Sequence, residues 1–203
     1  MKITLENIGK RFKRNWIFRD VNLEFVSGKS YALTGVNGSG KSTLLKTVAG
    51  FIHPNKGELT IIDPSGKQID KNDFAFHYTF CSPYQELIRE MKLNEFLDFH
   101  QKLTEELDTK LLLETVNLSG NEDKLIDNFS SGMIQRLKLG ITFFTQRPVI
   151  LLDEPTSTLD IYGKEIFQSL FLESKKSKLI VMASNEKDEY SLCDSVINIQ
   201  NYQ

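Results

Sequence analysis

Cysteine is scarce: Cys81 and Cys193 are the two in 203 residues, and no C-x-x-C pair exists. A disulfide framework or a thiolate metal site is therefore not expected, and two reduced thiols are the default. An excess of either charge is also missing. Lys plus Arg number 25 against 27 Asp plus Glu, a formal net charge of -2, so no overall field draws the chain to nucleic acid. The basic cluster Lys10-Arg11-Lys13-Arg14 is short, lies between strand-like segments and reads as a solvated turn. Long hydrophobic runs are absent as well. Val149-Ile150-Leu151-Leu152 falls far short of the roughly 20 residues a bilayer-spanning helix needs. The start, MKITLENIGK, has no apolar signal core because Glu6, Asn7 and Gly9 interrupt it, so a cytoplasmic location is expected. With five prolines and no Gly/Ser-rich or Pro-rich linker, residues 1–203 read as a single domain.

What is present suffices to build a core: 40% of the residues are hydrophobic and 10% aromatic. Residues 2–8 and 17–26 alternate apolar and polar side chains as half-buried strands do, and 30–34, 58–62 and the aromatic run 74–80 continue the β pattern. From 86 to about 147 the period becomes helical, with Leu93, Phe96, Leu97 and His100, then Leu111, Leu112 and Val116, then Ile134, Leu137, Ile141 and Phe144 three to four residues apart. Short buried runs return at 149–152 and 179–182 around a helical stretch at 161–175. Strand, helix, strand after an insertion predicts an α/β sheet with two lobes attached.

Gly35-Val36-Asn37-Gly38-Ser39-Gly40-Lys41-Ser42 satisfies G-x-x-x-x-G-K-[ST] between a predicted strand and a predicted helix. Glycines let successive backbone N–H groups converge on one phosphate chain without obstruction by β-carbons. Lys41 adds a mobile positive charge, the helix N-terminus presents further N–H groups, and the Ser42 hydroxyl is available to magnesium. The buried run ends in Asp153-Glu154-Pro155, a Walker B pattern. Carboxylates at the carboxyl end of a parallel strand lie where ligands bind in such sheets. Asp153 is thus the candidate for magnesium, and Glu154 for orienting or deprotonating the attacking water.

Further segments give the resemblance. Phe129-Ser130-Ser131-Gly132-Met133-Ile134-Gln135-Arg136-Leu137 resembles the L-S-G-G-Q-x-Q-R-L signature of ATP-binding-cassette transporter subunits, and Ser157-Thr158-Leu159-Asp160 resembles their D-loop. Phe12 falls where that family stacks an aromatic on adenine, and Leu93-Asn94-Glu95-Phe96-Leu97 resembles the helix after its glutamine loop. Ser130 or Ser131 equally suits an ordinary helix cap. The resemblance implies a P-loop NTPase (RecA-like) core over about 1–85 and 141–203, with an antiparallel β subdomain and an inserted helical subdomain at about 86–140. It also implies ATP and Mg2+ as cofactors. The implied nucleotide set is Phe12, Gly35, Asn37, Gly38, Ser39, Gly40, Lys41, Ser42, Thr43, Ser130, Ser131, Gly132 and Asp160. Two copies would pair head to tail around ATP, peripheral at the membrane through a transmembrane partner, with no nucleic-acid partner expected.

Two departures mark this sequence. Asn185 in Ala183-Ser184-Asn185-Glu186 stands where the family has a histidine against the γ-phosphate. An amide still donates a hydrogen bond but carries no proton to and fro. At the glutamine loop, Cys81-Ser82-Pro83-Tyr84-Gln85-Glu86 aligns as Cys81 or Ser82 counted from the preceding strand and as Pro83 counted back from Leu93, leaving a displaced Gln85 as the candidate metal contact. The expectation is therefore a transporter ATPase that is slow without its partner, with export indicated by the Ser-Ser-Gly-Met form of the signature. The alternatives are a cytosolic cassette ATPase uncoupled from transport and a weakly hydrolytic nucleotide sensor.

Overall fold

The computed structural model describes residues 1–104 and 107–203, so residues 105 and 106 of the helical segment lie outside the described residues. Backbone proximity divides the chain into two compact units. The first comprises Met1–Phe80, Arg147–Glu154 and Ser174–Gln203, and the second Cys81–Gln146 and Pro155–Glu173.

The first unit opens with a long hairpin. β1 (Lys2–Phe12) and β2 (Asn15–Val26) pair antiparallel from Lys2↔Val26 to Phe12↔Asn15. The basic cluster is therefore not wholly a turn. Lys10 and Arg11 belong to β1, and the tip lies at Lys13 and Arg14, where Lys13 has φ 55°. Ile3, Leu5, Ile8, Phe18, Val21 and Phe25 lie in the core, each with at most 1% exposure, and the simple alternation is broken where the register shifts between Leu5 and Ile8 and where Asn7 and Asp20 take φ 52°. After β3 (Ser30–Thr34) and α1 (Lys41–Val48), β4 (Lys56–Ile62) adds to the hairpin, giving the order β2-β1-β4.

The aromatic run 74–80 is not one strand. Phe74–His77 is a 3-10 turn seeded by the Asx turn at Asp70, and β5 (Tyr78–Cys81) starts only at Tyr78. Phe74 N–H bonds back to Asp70 O and its ring is buried, so local turn chemistry overrides the β preference of the aromatics.

In the second unit α2 (Leu93–Thr104) buries Leu93, Phe96 and Leu97 on one face. α3 (Thr109–Thr115) is capped by Asp108, which accepts from Leu111 N, and α4 (Ser131–Phe144) by Ser130, which accepts from Met133 N. Leu112, Val116, Leu118, Ile126, Leu137 and Ile141 share this unit's own core.

The chain returns to the first unit through β6 (Val149–Asp153). α5 (Ile161–Ser174) belongs to the second unit save for its last residue, and β7 (Leu179–Ala183), the short α6 (Lys187–Tyr190) and β8 (Ser195–Asn198) complete the first. The second sheet has the order β5-β6-β7-β3-β8, with β6/β7, β7/β3 and β3/β8 parallel. β6 and β7 are buried at every position, as the uninterrupted apolar runs predict. β8 carries no such signature: it is an edge strand with Ser195, Val196 and Asn198 exposed, and periodicity does not reveal it.

Candidate active site

The loop between β3 and α1 owes its path to two glycines in particular. Gly35 (φ 141°) packs so closely that a β-carbon would stand 2.7 Å from Ser39 Oγ, and one on Gly40 (φ 101°) would stand 2.5 Å from Ile17 Cγ2. No L side chain fits either place. Gly40 is also the residue before α1, with no side-chain cap, so the first N–H groups of that helix lack capping acceptors.

Lys41 is 5% exposed, and its Nζ donates to Gly35 O at 2.8 Å and Val36 O at 3.3 Å, which bends the side chain back along the loop. Burial lowers the pKa of this ammonium, opposed by Glu154 and Asp153. Ser39 Oγ is buried and has no hydrogen-bond partner among the described residues. A buried hydroxyl without a partner is costly in a folded chain, and here it sits inside a cradle of glycines and helix N–H groups that suits an oxyanion.

Ser42 Oγ donates to Asp153 Oδ1 at 2.7 Å, joining two residues 111 apart in sequence. Asp153 ends β6 and is 3% exposed. Burial pushes its carboxyl above the usual carboxylate range, while the Ser42 hydrogen bond, Lys46 and Lys41 pull it down. Glu154, next in the chain, is exposed and has φ 45°, a conformation uncommon outside glycine, fixed by its N–H bond to Ala183 O at 2.9 Å. This turn aims a carboxylate away from the strand that buries its neighbour, and such strain gathers at functional sites. Sequence patterns do not disclose it.

Asn185 follows β7 and is exposed, and its Nδ2 donates to Asn37 Oδ1 of the glycine loop at 2.5 Å. The loop, Lys41, Ser42, Asp153, Glu154 and Asn185 thus lie in one unit. Thr43 is half-buried in the first turn of α1, and its carbonyl accepts from Thr47. Phe12 ends β1 and is 51% exposed, and Lys10 Nζ stands 5.2 Å from its ring centroid while donating to His53 O at 2.7 Å. Lys10, two residues earlier on β1, is a neighbour of Phe12 that the charge pattern alone does not single out.

The remaining candidates belong to the second unit. Ser130 caps α4, while Ser131 is exposed and Gly132 half-buried in its first turn. Asp160 Oδ1 accepts from Gly163 N at 2.8 Å and so holds the start of α5. Gln85 is exposed, and its N–H meets Ser82 O at 3.3 Å.

A family model for ABC transporters matches residues 18–157. The energy-coupling factor transporter ATP-binding protein EcfA1 of Thermotoga maritima is 32% identical over 99% of this chain and 79% of its own length. The cytochrome c biogenesis ATP-binding export protein CcmA of Haemophilus influenzae is 29% identical over 100% and 97%. Among solved structures, a dimeric ATP-binding cassette in a post-hydrolysis state with ADP and Pi superposes with a TM-score of 0.82 at 20% identity, covering 97% of this chain and 93% of that one. The last likeness speaks for the fold. The glycine cradle, the Ser42–Asp153 pair and the extent of these matches place the chain in the ABC transporter family, as an ATP-binding ATPase subunit on the P-loop NTPase fold.

Proposed function

We propose that this subunit drives transport by a separate membrane-spanning subunit, using ATP to join two copies head to tail and hydrolysis to part them. The observation that carries this is the Ser42–Asp153 hydrogen bond beside the glycine cradle, which poises a hydroxyl and a buried carboxylate at one point. Those two ligands suit magnesium, which binds through one or two protein oxygens plus phosphate oxygens and water. Among the described residues no cluster of three or more His, Cys, Asp or Glu forms a closed cage. When bound, the ion would neutralise charge developing on the transferred phosphoryl group. Lys41 and the α1 N–H groups hold the phosphates, Phe12 takes the adenine ring, Asn185 donates toward the γ-phosphate, and Glu154 orients and deprotonates the attacking water.

The residues of one copy serve only half of each site on this proposal. Ser130, Ser131 and Gly132 of one subunit, with Asp160, cover the γ-phosphate held by the loop of the other, and ligand bound by the closed pair alone stabilises closure. Gln85 is proposed for the glutamine-loop role. The whole chain acts as one cassette, with about 86–140 as its helical docking part, on the cytoplasmic face of the membrane. No described helix is long and apolar enough to cross a membrane. Passage of substrate is proposed for a separate membrane-spanning subunit. Export is the proposed direction, on the Ser-Ser-Gly-Met signature and the resemblance to a relative named as an export protein.

Purification of the tagged chain from detergent-solubilised membranes tests the proposal. A stoichiometric polytopic partner that raises ATP turnover is expected. Recovery of the active chain solely as a soluble dimer, with turnover indifferent to membranes, would reject it.

A further inference from the structure

Three hydrogen bonds tie the end of β1 to the segment that follows α1, all within the first unit. Asn55 N–H donates to Gly9 O at 2.7 Å, Asn55 Oδ1 accepts from Arg11 N–H at 2.9 Å, and Lys10 Nζ donates to His53 O at 2.7 Å. The register with β2 shifts between Ile8 and Lys10 and again between Lys10 and Arg11, so the ladder alone does not fix the path of the strand end. The clamp to 53–55 supplies what the ladder lacks, and the next side chain along is Phe12.

The Lys10 ammonium stands over the Phe12 ring, 5.2 Å from its centroid, and no carboxylate among the described residues forms an ion pair with it. Its charge is met by one carbonyl and by the negative face of the ring. Lys10 is half-buried, whereas Phe12 is exposed. Trp16, at the same end of the hairpin, has two such neighbours, with Arg11 and Lys56 each 5.5 Å from its ring, while Phe12 has Lys10 alone. The surroundings of β1 differ on its two flanks. His53 leads into β4, which pairs on one side of β1, and the glycine loop packs against β2 on the other, where Ile17 crowds Gly40. The ammonium is thus anchored on the β4 side, away from the flank that meets the glycine loop.

We propose that Lys10 is a positioning residue for the nucleotide base: it holds the Phe12 ring from behind and leaves the opposite face as a fixed platform for the purine. The inference rests on the reading of Phe12 as the adenine platform and adds the group that orients it. An exposed ring that stacks on a base gives up side-chain freedom, and a ring already held by a clamped ammonium has less to give up. A cation behind the ring also draws π density away from the open face, which favours an electron-rich base there. Both effects act on binding and leave the phosphoryl chemistry untouched.

A double-mutant cycle on the full chain tests this, read by calorimetric titration with Mg·ADP and by the KM and kcat for ATP. Phe12→Ala should weaken ADP about tenfold, as expected for a base that loses its aromatic partner. Lys10→Met should weaken it about fivefold and raise KM alike with kcat unchanged, and Lys10→Arg, which keeps a cation in reach of the ring, should restore most of the affinity. Added to Phe12→Ala, Lys10→Met should change affinity less than about twofold, because no ring is left to orient. Should Lys10→Met fail to fold, Lys10→Gln, which keeps a donor for His53 O and removes the charge, reads the same losses. Equal losses with and without the Phe12 ring, a fall in kcat, or no loss on removing the charge overturns the inference and leaves the adenine platform standing. Unchanged ADP binding by Phe12→Ala overturns the platform reading itself, and the inference with it.

Discussion

The amide of Asn185 donates to the side-chain carbonyl of Asn37, tying the end of β7 to the glycine loop across 148 residues of sequence. Neither amide titrates between pH 5 and 9, so this contact holds its donor in one state where an imidazole would alternate between two. Wild-type kcat should therefore show no limb near the ordinary histidine pKa of about 6.5. Asn185→His should introduce one, and Asn185→Ala should lower kcat on the order of tenfold with little change in ATP affinity, because the contact strengthens as charge develops on the γ-phosphate. Stopped-flow release of phosphate from pH 5.5 to 8.5 separates these outcomes. An Asn185→Ala enzyme of undiminished kcat removes Asn185 from the reaction.

Slow turnover of the isolated subunit follows from the same substitution together with the altered glutamine loop. Partner-free turnover well below that of the assembled transporter is expected in a coupled-enzyme assay. A high rate that no membrane partner changes contradicts it.

The glycine loop and the acidic end of β6 were legible because each needs residue types at fixed spacing. Gly35 and Gly40 adopt backbone angles other residues resist, and Asp153 ends a run buried at every position. What escaped depended on distance in space. Nothing in the order of residues says that Asn185 reaches Asn37, that Lys10 stands over Phe12, or that Lys138 turns inward to the carbonyls of Ser82 and Pro83. Lys138 leaves a trace, as a charge set between Leu137 and Leu139 in the more buried part of its helix. The 3-10 turn at Phe74 and the edge strand β8 are not legible for a different reason: side-chain preference is weak where turns or exposure decide.

Asp153 makes stability depend on pH in a definite direction. Its carboxyl is raised above the unfolded value, so between the unfolded and folded pKa the native state binds more protons. Stability therefore falls as pH rises through that window and is flat above it. Asp153→Asn should abolish this slope, raise the melting temperature of the nucleotide-free protein at neutral pH, and lose the extra stabilisation that magnesium adds to ATP. Differential scanning calorimetry from pH 4 to 8 reads all three. A variant less stable than wild type at pH 8 would mean that the Ser42 hydrogen bond outweighs burial.

Gly40 tests the cradle as geometry apart from chemistry. An alanine there meets both the positive φ and a contact 2.5 Å from Ile17 Cγ2. Gly40→Ala should cost about 2–3 kcal/mol of stability and more in ATP affinity. Ile17→Ala added to it should recover the steric part alone, giving a non-additive cycle in urea unfolding. Additivity of the two changes would show that the backbone angle carries the whole cost.

Glu154→Gln separates binding from hydrolysis. The amide matches the carboxylate in size, and the backbone contact that sets the turn, Glu154 N–H to Ala183 O, is unaffected. Lys41, Ser42, Asp153 and the signature serine also remain. ATP affinity should therefore stay within about twofold, while kcat falls at least about a hundredfold for want of a base. If closure is driven by ligand that only the paired state fully binds, blocking hydrolysis leaves the pair with no way to part. The variant should then elute as a dimer with Mg·ATP and as a monomer with ADP in size-exclusion chromatography with light scattering. Elution as a monomer with ATP at saturating concentration would refute the head-to-tail proposal. Retained hydrolysis would instead take Glu154 out of the role of base and require another group to deprotonate the water.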